Sequence, residues 1–134
     1  MATKDEQISK HFKMSEFNCH DGTPVPEKYK ANVRKLVLTV LEPLRDYLKV
    51  PIYVNSGYRT PAYNKKCGGV KHSYHMKAMA ADIAVRTISP KDLADFLKDE
   101  IRIGTRLGKA IGGLGRYPGF THVDIGLYRT WGSN

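Results

Sequence analysis

No run of apolar residues in this 134-residue chain approaches the roughly 20 that a membrane-crossing helix needs. The N-terminal stretch "MATKDEQISKHFKMSEF" also lacks the apolar core of a signal peptide, so the expectation is a product made in the cytoplasm without a leader. Cysteine is scarce. Cys19 and Cys67 stand 48 positions apart and neither belongs to a Cys-x-x-Cys pair, which argues for free thiols and against a disulfide scaffold or a closed cysteine-rich metal knot. There are no repeats and no low-complexity segments, and no cluster of five or more consecutive basic residues that would mark a nucleic-acid arm. The glycines at 112, 113 and 115 lack the strand-then-helix setting and the Lys-Ser/Thr ending of a phosphate loop.

What is present describes one globular domain. The composition is 41% hydrophobic and 26% charged, rich enough in apolar residues for a core. Lys and Arg outnumber Asp and Glu by 22 to 13, and a net charge of +9 draws a protein toward anionic polymers without choosing among them. Residues 1–12 are polar and read as a lead-in with freedom to move; residues 13–134 read as a single domain, expected to be monomeric.

Tyr29, Val33, Leu36, Val37, Val40, Leu41, Leu44 and Leu48 recur at spacings of three and four, one apolar face of a helix of about five turns that Pro43 should kink near its end. "PIYVN", residues 51–55, reads as a strand. Thr60-Pro61 and Ser89-Pro90 each pair a capping side chain with a proline at the first helical position. They predict a short helix to about Cys67 and a longer one over 90–103, with Leu93, Phe96, Leu97 and Ile101 inward. "AADIAVR", residues 80–86, reads as a second strand. Two short alternating segments around Tyr117-Pro118-Gly119 predict an antiparallel hairpin. The order implies an α+β domain whose small, mainly antiparallel sheet packs against helices.

Chemistry concentrates in two places. In "SYHMKAMAAD" a histidine, His75, precedes an aspartate, Asp82, by seven residues; in "FTHVDIG" His122 and Asp124 sit two apart on a predicted strand and so face one way. A carboxylate at position 82, beside "IAV", is costly to bury unless it is paired or holds a metal. Read alone, each histidine is more often a surface or internally satisfied residue than a ligand, so spacing by itself leaves a metal site open. A structural site from Cys67, His72 and His75, with Cys19 or His20 completing it, is the chemical rival.

Taken together the motifs say more. "SYHMKAMAAD" resembles the Ser-x-His-x-x-Gly-x-Ala-x-Asp signature of the zinc D-Ala-D-Ala carboxypeptidase-like peptidases, whose distant relatives include lysostaphin-type and hedgehog-type folds. "NSGYRTPAYNKKCGG" resembles that family's Ser-Gly-Tyr-Arg block, and "GGLGRYPGFTHVDIG" its downstream glycine-rich hairpin and His-x-Asp block; "YRTW" follows. The resemblance spans about residues 12–131. It implies that His75, Asp82 and His122 bind zinc, with no organic cofactor, and that Arg59 reads a carboxylate or carbonyl of a peptide substrate.

Asp124 is the candidate for moving the proton of the attacking water, or for orienting a zinc ligand. Tyr58, Ser73 and Tyr117 are further candidate contacts. Two positions depart from the pattern: Ala78 replaces glycine, and Gly119 stands where many relatives carry an acidic residue or histidine. The activity implied is hydrolysis of peptide bonds in bacterial peptidoglycan stem peptides or cross-links, as a carboxypeptidase or an endolysin-like endopeptidase. It would act on the wall after phage-type release or through an export signal absent from this chain. A catalytically silent wall-binding module of the same fold is the alternative; neither membrane insertion nor nucleic-acid binding is implied.

Overall fold

The computed structural model describes residues 5–132. Single-turn helices at Met14–Phe17 and Glu27–Tyr29 lead into α1 (Lys30–Leu36), a wide helical turn at Val37–Leu41, and α2 (Glu42–Leu48). There follow β1 (Tyr53–Ser56), α3 (Pro61–Lys66), a tight helical turn at Tyr74–Lys77, β2 (Ala80–Ala84), α4 (Pro90–Ile103), α5 (Arg106–Ala110), β3 (Gly113–Arg116), β4 (Thr121–Asp124) and β5 (Arg129–Gly132). The architecture is α+β, as the order of elements predicts.

The long amphipathic segment forms as its periodicity requires, and Val33, Leu36, Val37, Val40, Leu41 and Leu44 are all fully buried. Each such side chain contributes about 1.5–3 kcal/mol of burial, far more than helix propensity supplies over two short helices. Pro43 acts one turn before itself. It has no N–H for the carbonyl of Thr39, and the ladder widens so that the Glu42 N–H reaches back five residues to the Val37 carbonyl. Thr60 and Ser89 cap α3 and α4 as expected, accepting from the Tyr63 and Asp92 N–H groups.

The sheet runs in the order β1-β2-β4-β3-β5. The first four strands are antiparallel and β5 lies parallel to β3, so the sheet is mixed at one edge. One face carries Ala81, Ile83, Leu114 and Val123 into the core shared with α1, α2 and α4. The other face carries the chemistry. Cross-strand register places Ser56, Asp82, His122, Gly115 and Trp131 in one row across all five strands, with Asp124, Gly113 and Arg129 in the row beside it.

Of the polar lead-in, residues 1–4 lie outside the described residues, as do residues 133–134 at the other end. Residues 5–12 are docked: Phe12 is 1% exposed in the core, Glu6 receives two 2.7 Å hydrogen bonds from Arg34, and His11 Nδ1 lies 2.8 Å from Glu42. The packed unit therefore begins before residue 13, because Phe12 has an apolar ring to bury and no solvent-facing alternative. Cys19 is buried in the core and Cys67 is exposed.

Candidate metal centre

The local sequence brings three potential ligands to one point. Asp82 and His122 are direct cross-strand partners on β2 and β4. His75 reaches them from the Tyr74–Lys77 turn, which Ser73 opens by accepting the His75 N–H at 3.2 Å and Ala78 closes in a left-handed conformation, φ 56°. For a residue with a Cβ that conformation costs about 1–2 kcal/mol, so the turn into β2 is bought with strain.

Asp82 Oδ1 lies 3.2 Å from His75 Nε2 and 3.0 Å from His122 Nδ1. These groups can offer three ligand atoms all within 4.8 Å of one another, and His75, Asp82 and His122 are only 2%, 4% and 7% exposed. The outer nitrogens are held from behind. His75 Nδ1 lies 2.7 Å from the Gly57 carbonyl, a partner that can only accept, so Nδ1 carries a proton and Nε2 is the nitrogen turned inward to Asp82. His122 Nε2 lies 2.8 Å from Asp124 Oδ2, which leaves Nδ1 as its inward nitrogen.

Burial pushes the Asp82 carboxyl up, but hydrogen bonds and charge from His122 and His75 outweigh it and hold the group far below the usual carboxylate range. Burial pulls His122 down, and hydrogen bonds to Asp124 and Asp82 outweigh that, so its pKa is raised. Before any metal arrives the cluster is thus an ionised carboxylate between imidazoles, one of them inclined to hold a second proton. Two imidazole nitrogens and one carboxylate oxygen, facing a cavity, are donor types that fit a zinc ion with a fourth position left open.

Asp124 is fully buried and both its oxygens are engaged, Oδ2 by His122 and Oδ1 by the Gly126 N–H at 2.9 Å. Space for it comes from β3: a Cβ on Gly113 would land on the Asp124 carboxylate, and one on Gly115 would come within 2.6 Å of the Trp131 indole. Those glycines serve side-chain packing in place of a phosphate.

The cavity above the cluster holds about 390 Å³, with Arg59, Ser73, Tyr74, Tyr117, Phe120, Arg129 and Trp131 around the three potential ligands. Arg59 is tied to the protein through each nitrogen: Nε donates to Ser56 Oγ at 3.1 Å, Nη1 to Asn64 Oδ1 at 3.3 Å and Nη2 to Asp82 Oδ2 at 3.1 Å. Ser73 and Tyr117 line the cavity, whereas Tyr58 is buried against Tyr29 outside it. Gly119 faces open space, and Asp82 is the sole carboxylate among the described residues lining the cavity.

Sequence reasoning assigned no role to Arg129 or Trp131. Their signal was weak: "YRTW" is a β-compatible tetrapeptide whose place beside the potential ligands depends on parallel pairing with β3. The rival cluster does not form among the described residues, since Cys67 and His72 are exposed and share no metal-capable grouping with His75. His11, Glu42 and Asp46 form a second, shallower grouping in which His11 and Glu42 already satisfy each other through two 2.8 Å contacts.

A family model described as Peptidase M15 matches residues 10–124, a span that includes His75, Asp82, His122 and Asp124. Comparison with curated proteins gives no match.

Proposed function

The chain belongs to the peptidase M15 family, and we propose that it is a zinc-dependent peptidase hydrolysing peptide bonds of bacterial peptidoglycan, in stem peptides or their cross-links. The observation that carries this reading is the convergence of His75 Nε2, Asp82 Oδ1 and His122 Nδ1 at the floor of a cavity, each braced from outside. Zinc held by these three atoms supplies Lewis acidity, polarising a scissile carbonyl and making water a nucleophile near neutral pH.

The remaining work falls to the chain. The Gly57 carbonyl and Asp124 hold the outer nitrogens and so fix which nitrogen of each imidazole turns inward, orienting the rings for a metal. Arg59 balances the charge of Asp82 and keeps Oδ1 turned toward the histidines by holding Oδ2. Asp124, sealed from the cavity, orients His122; of the two roles open to it from sequence, this is the one its position suits. Tyr117 and Tyr74 present hydroxyl-bearing rings at the cavity wall, where a peptide backbone would lie. The net charge of +9 suits approach to an anionic wall.

A second reading has its own support. Because no carboxylate besides Asp82 lines the cavity among the described residues, a zinc-containing wall-binding module that does not turn over remains the competitor. Digestion of purified muropeptides by the wild type, the zinc-stripped protein and His75→Ala, with products identified by mass, separates the readings. Release of peptide or amino acid by the wild type alone supports the peptidase. Equal release by all three overturns it, and binding without release by the zinc-loaded wild type favours the module.

A further inference from the structure

Two guanidinium groups face the cavity, and they are in different situations. Arg59 spends one N–H of each nitrogen on Ser56, Asn64 and Asp82, and its charge is paired with the Asp82 carboxylate. Arg129, on β5, is exposed and has no carboxylate partner among the described residues. Its guanidinium carbon stands 5.3 Å from the centre of the Tyr74 ring and 4.8 Å from that of Trp131.

Both rings are themselves pinned. The Tyr74 hydroxyl accepts from the Leu127 N–H at 3.3 Å, and Trp131 Nε1 donates to the Tyr117 hydroxyl at 2.7 Å. The strand is fixed too, through the Arg129 N–H bonded to the Gly112 carbonyl at 2.9 Å. Stacking on aromatic faces holds a guanidinium in place while leaving its N–H donors, which lie in its own plane, unspent. Trp131 meanwhile packs 4.9 Å from His122, so Arg129 stands one indole ring away from the metal-capable cluster.

We propose that Arg129 is a specificity-determining residue that binds a carboxylate of the peptide substrate, so that the site selects peptides with a free carboxylate at that place. This rests on the peptidase reading above. The planar fork presents paired donors suited to bidentate contact with a carboxylate. That group has two sources in a short wall-type peptide, the C-terminal α-carboxylate and an acidic group within the chain.

The test uses the zinc-loaded full chain and three matched peptides: one with both carboxylates free, one amidated at its C-terminus, one amidated at its internal acidic group. Arg129→Met keeps the stem over the rings and removes the charge; Arg129→Lys keeps charge without the fork. For Arg129→Met, KM on the free peptide is expected to rise about 10- to 100-fold with kcat within about twofold, and Arg129→Lys should fall between. The amidated peptide that is already poor for the wild type, and indifferent to Arg129→Met, identifies the source. Unchanged KM, or an equal loss on all three peptides, overturns the proposal.

If the wild type cleaves none of them, the peptidase reading fails while the Arg129 reading is still decided. Trp131 is the chain's one tryptophan, and its fluorescence can be titrated with the free and amidated peptides. Saturable change that is lost in Arg129→Met and with one amidated peptide supports carboxylate binding, and identical curves overturn it.

Discussion

Asp124 Oδ2 lies 2.8 Å from His122 Nε2, and this one contact decides which nitrogen of His122 faces Asp82. The carboxylate accepts two hydrogen bonds, from His122 and from the Gly126 N–H, with no solvent to replace either.

Asp124→Asn should therefore weaken the metal site before it alters proton transfer. An amide offers one acceptor oxygen where the carboxylate offers two, so either His122 or Gly126 loses its partner. The expected result is a fall in zinc affinity of about 10- to 100-fold, measured by competition with a chelator. Unchanged affinity with a lower kcat would place Asp124 on the proton instead.

The pH dependence of the metal-free protein has two opposing limbs. His122 has a raised pKa in the fold, so its contribution to stability is complete below the ordinary histidine value of about 6.5 and is lost as pH rises through the raised value. Asp82 is depressed, so its contribution is present above the ordinary carboxylate value and is lost as pH falls toward its folded pKa. Denaturant midpoints of metal-free protein should thus be highest in mildly acidic buffer. Zinc affinity should run the other way, strengthening as pH rises past the His122 titration, because the proton and the metal compete for one nitrogen. A flat affinity from about pH 6 to pH 8.5 would contradict this.

Ala78→Gly should stabilise the protein. The left-handed backbone at position 78 strains any residue with a Cβ, and removing that strain exceeds the entropy that glycine adds to the unfolded chain. The gain expected is about 0.5–1 kcal/mol in denaturant melts. Destabilisation would mean that the packing of the buried Ala78 methyl outweighs the strain.

Substituting the exposed Cys67 by serine should leave zinc content unchanged, whereas His122→Ala should abolish stoichiometric binding, both read by metal analysis of dialysed protein. The reverse pattern would revive the cysteine-containing site.

Much of the fold was legible because local chemistry agreed with tertiary demand. The spacing of Val33, Leu36, Val40 and Leu44 marks a face that is wholly buried, and the Thr60-Pro61 and Ser89-Pro90 pairs mark helix starts that carry cap hydrogen bonds. Asp82 could be singled out because an acid beside an apolar run demands an explanation. What stayed hidden depended on distant partners. β5 acquires its parallel pairing only once β3 is in place, so the place of Arg129 and Trp131 had only the weak local signal of "YRTW". The five-residue α5, started by the Thr105 cap, is too short to show a period. The widened turn at Val37–Leu41 follows from Pro43, but its register, as against a kink, is not written in the residue types.

Gly113 and Gly115 leave on β3 the room that Asp124 and Trp131 fill, and this divides the molecule into parts with different capacities to change. A carbon added at either glycine collides with Asp124 or Trp131, so natural variation and laboratory redesign have no room to work on that strand. The rim is another matter: Gly119 opens onto empty space, and Tyr117 and Arg129 rise from a turn and an edge strand. New preferences for substrate would have to be written there, around chemistry that the packed strands keep in place.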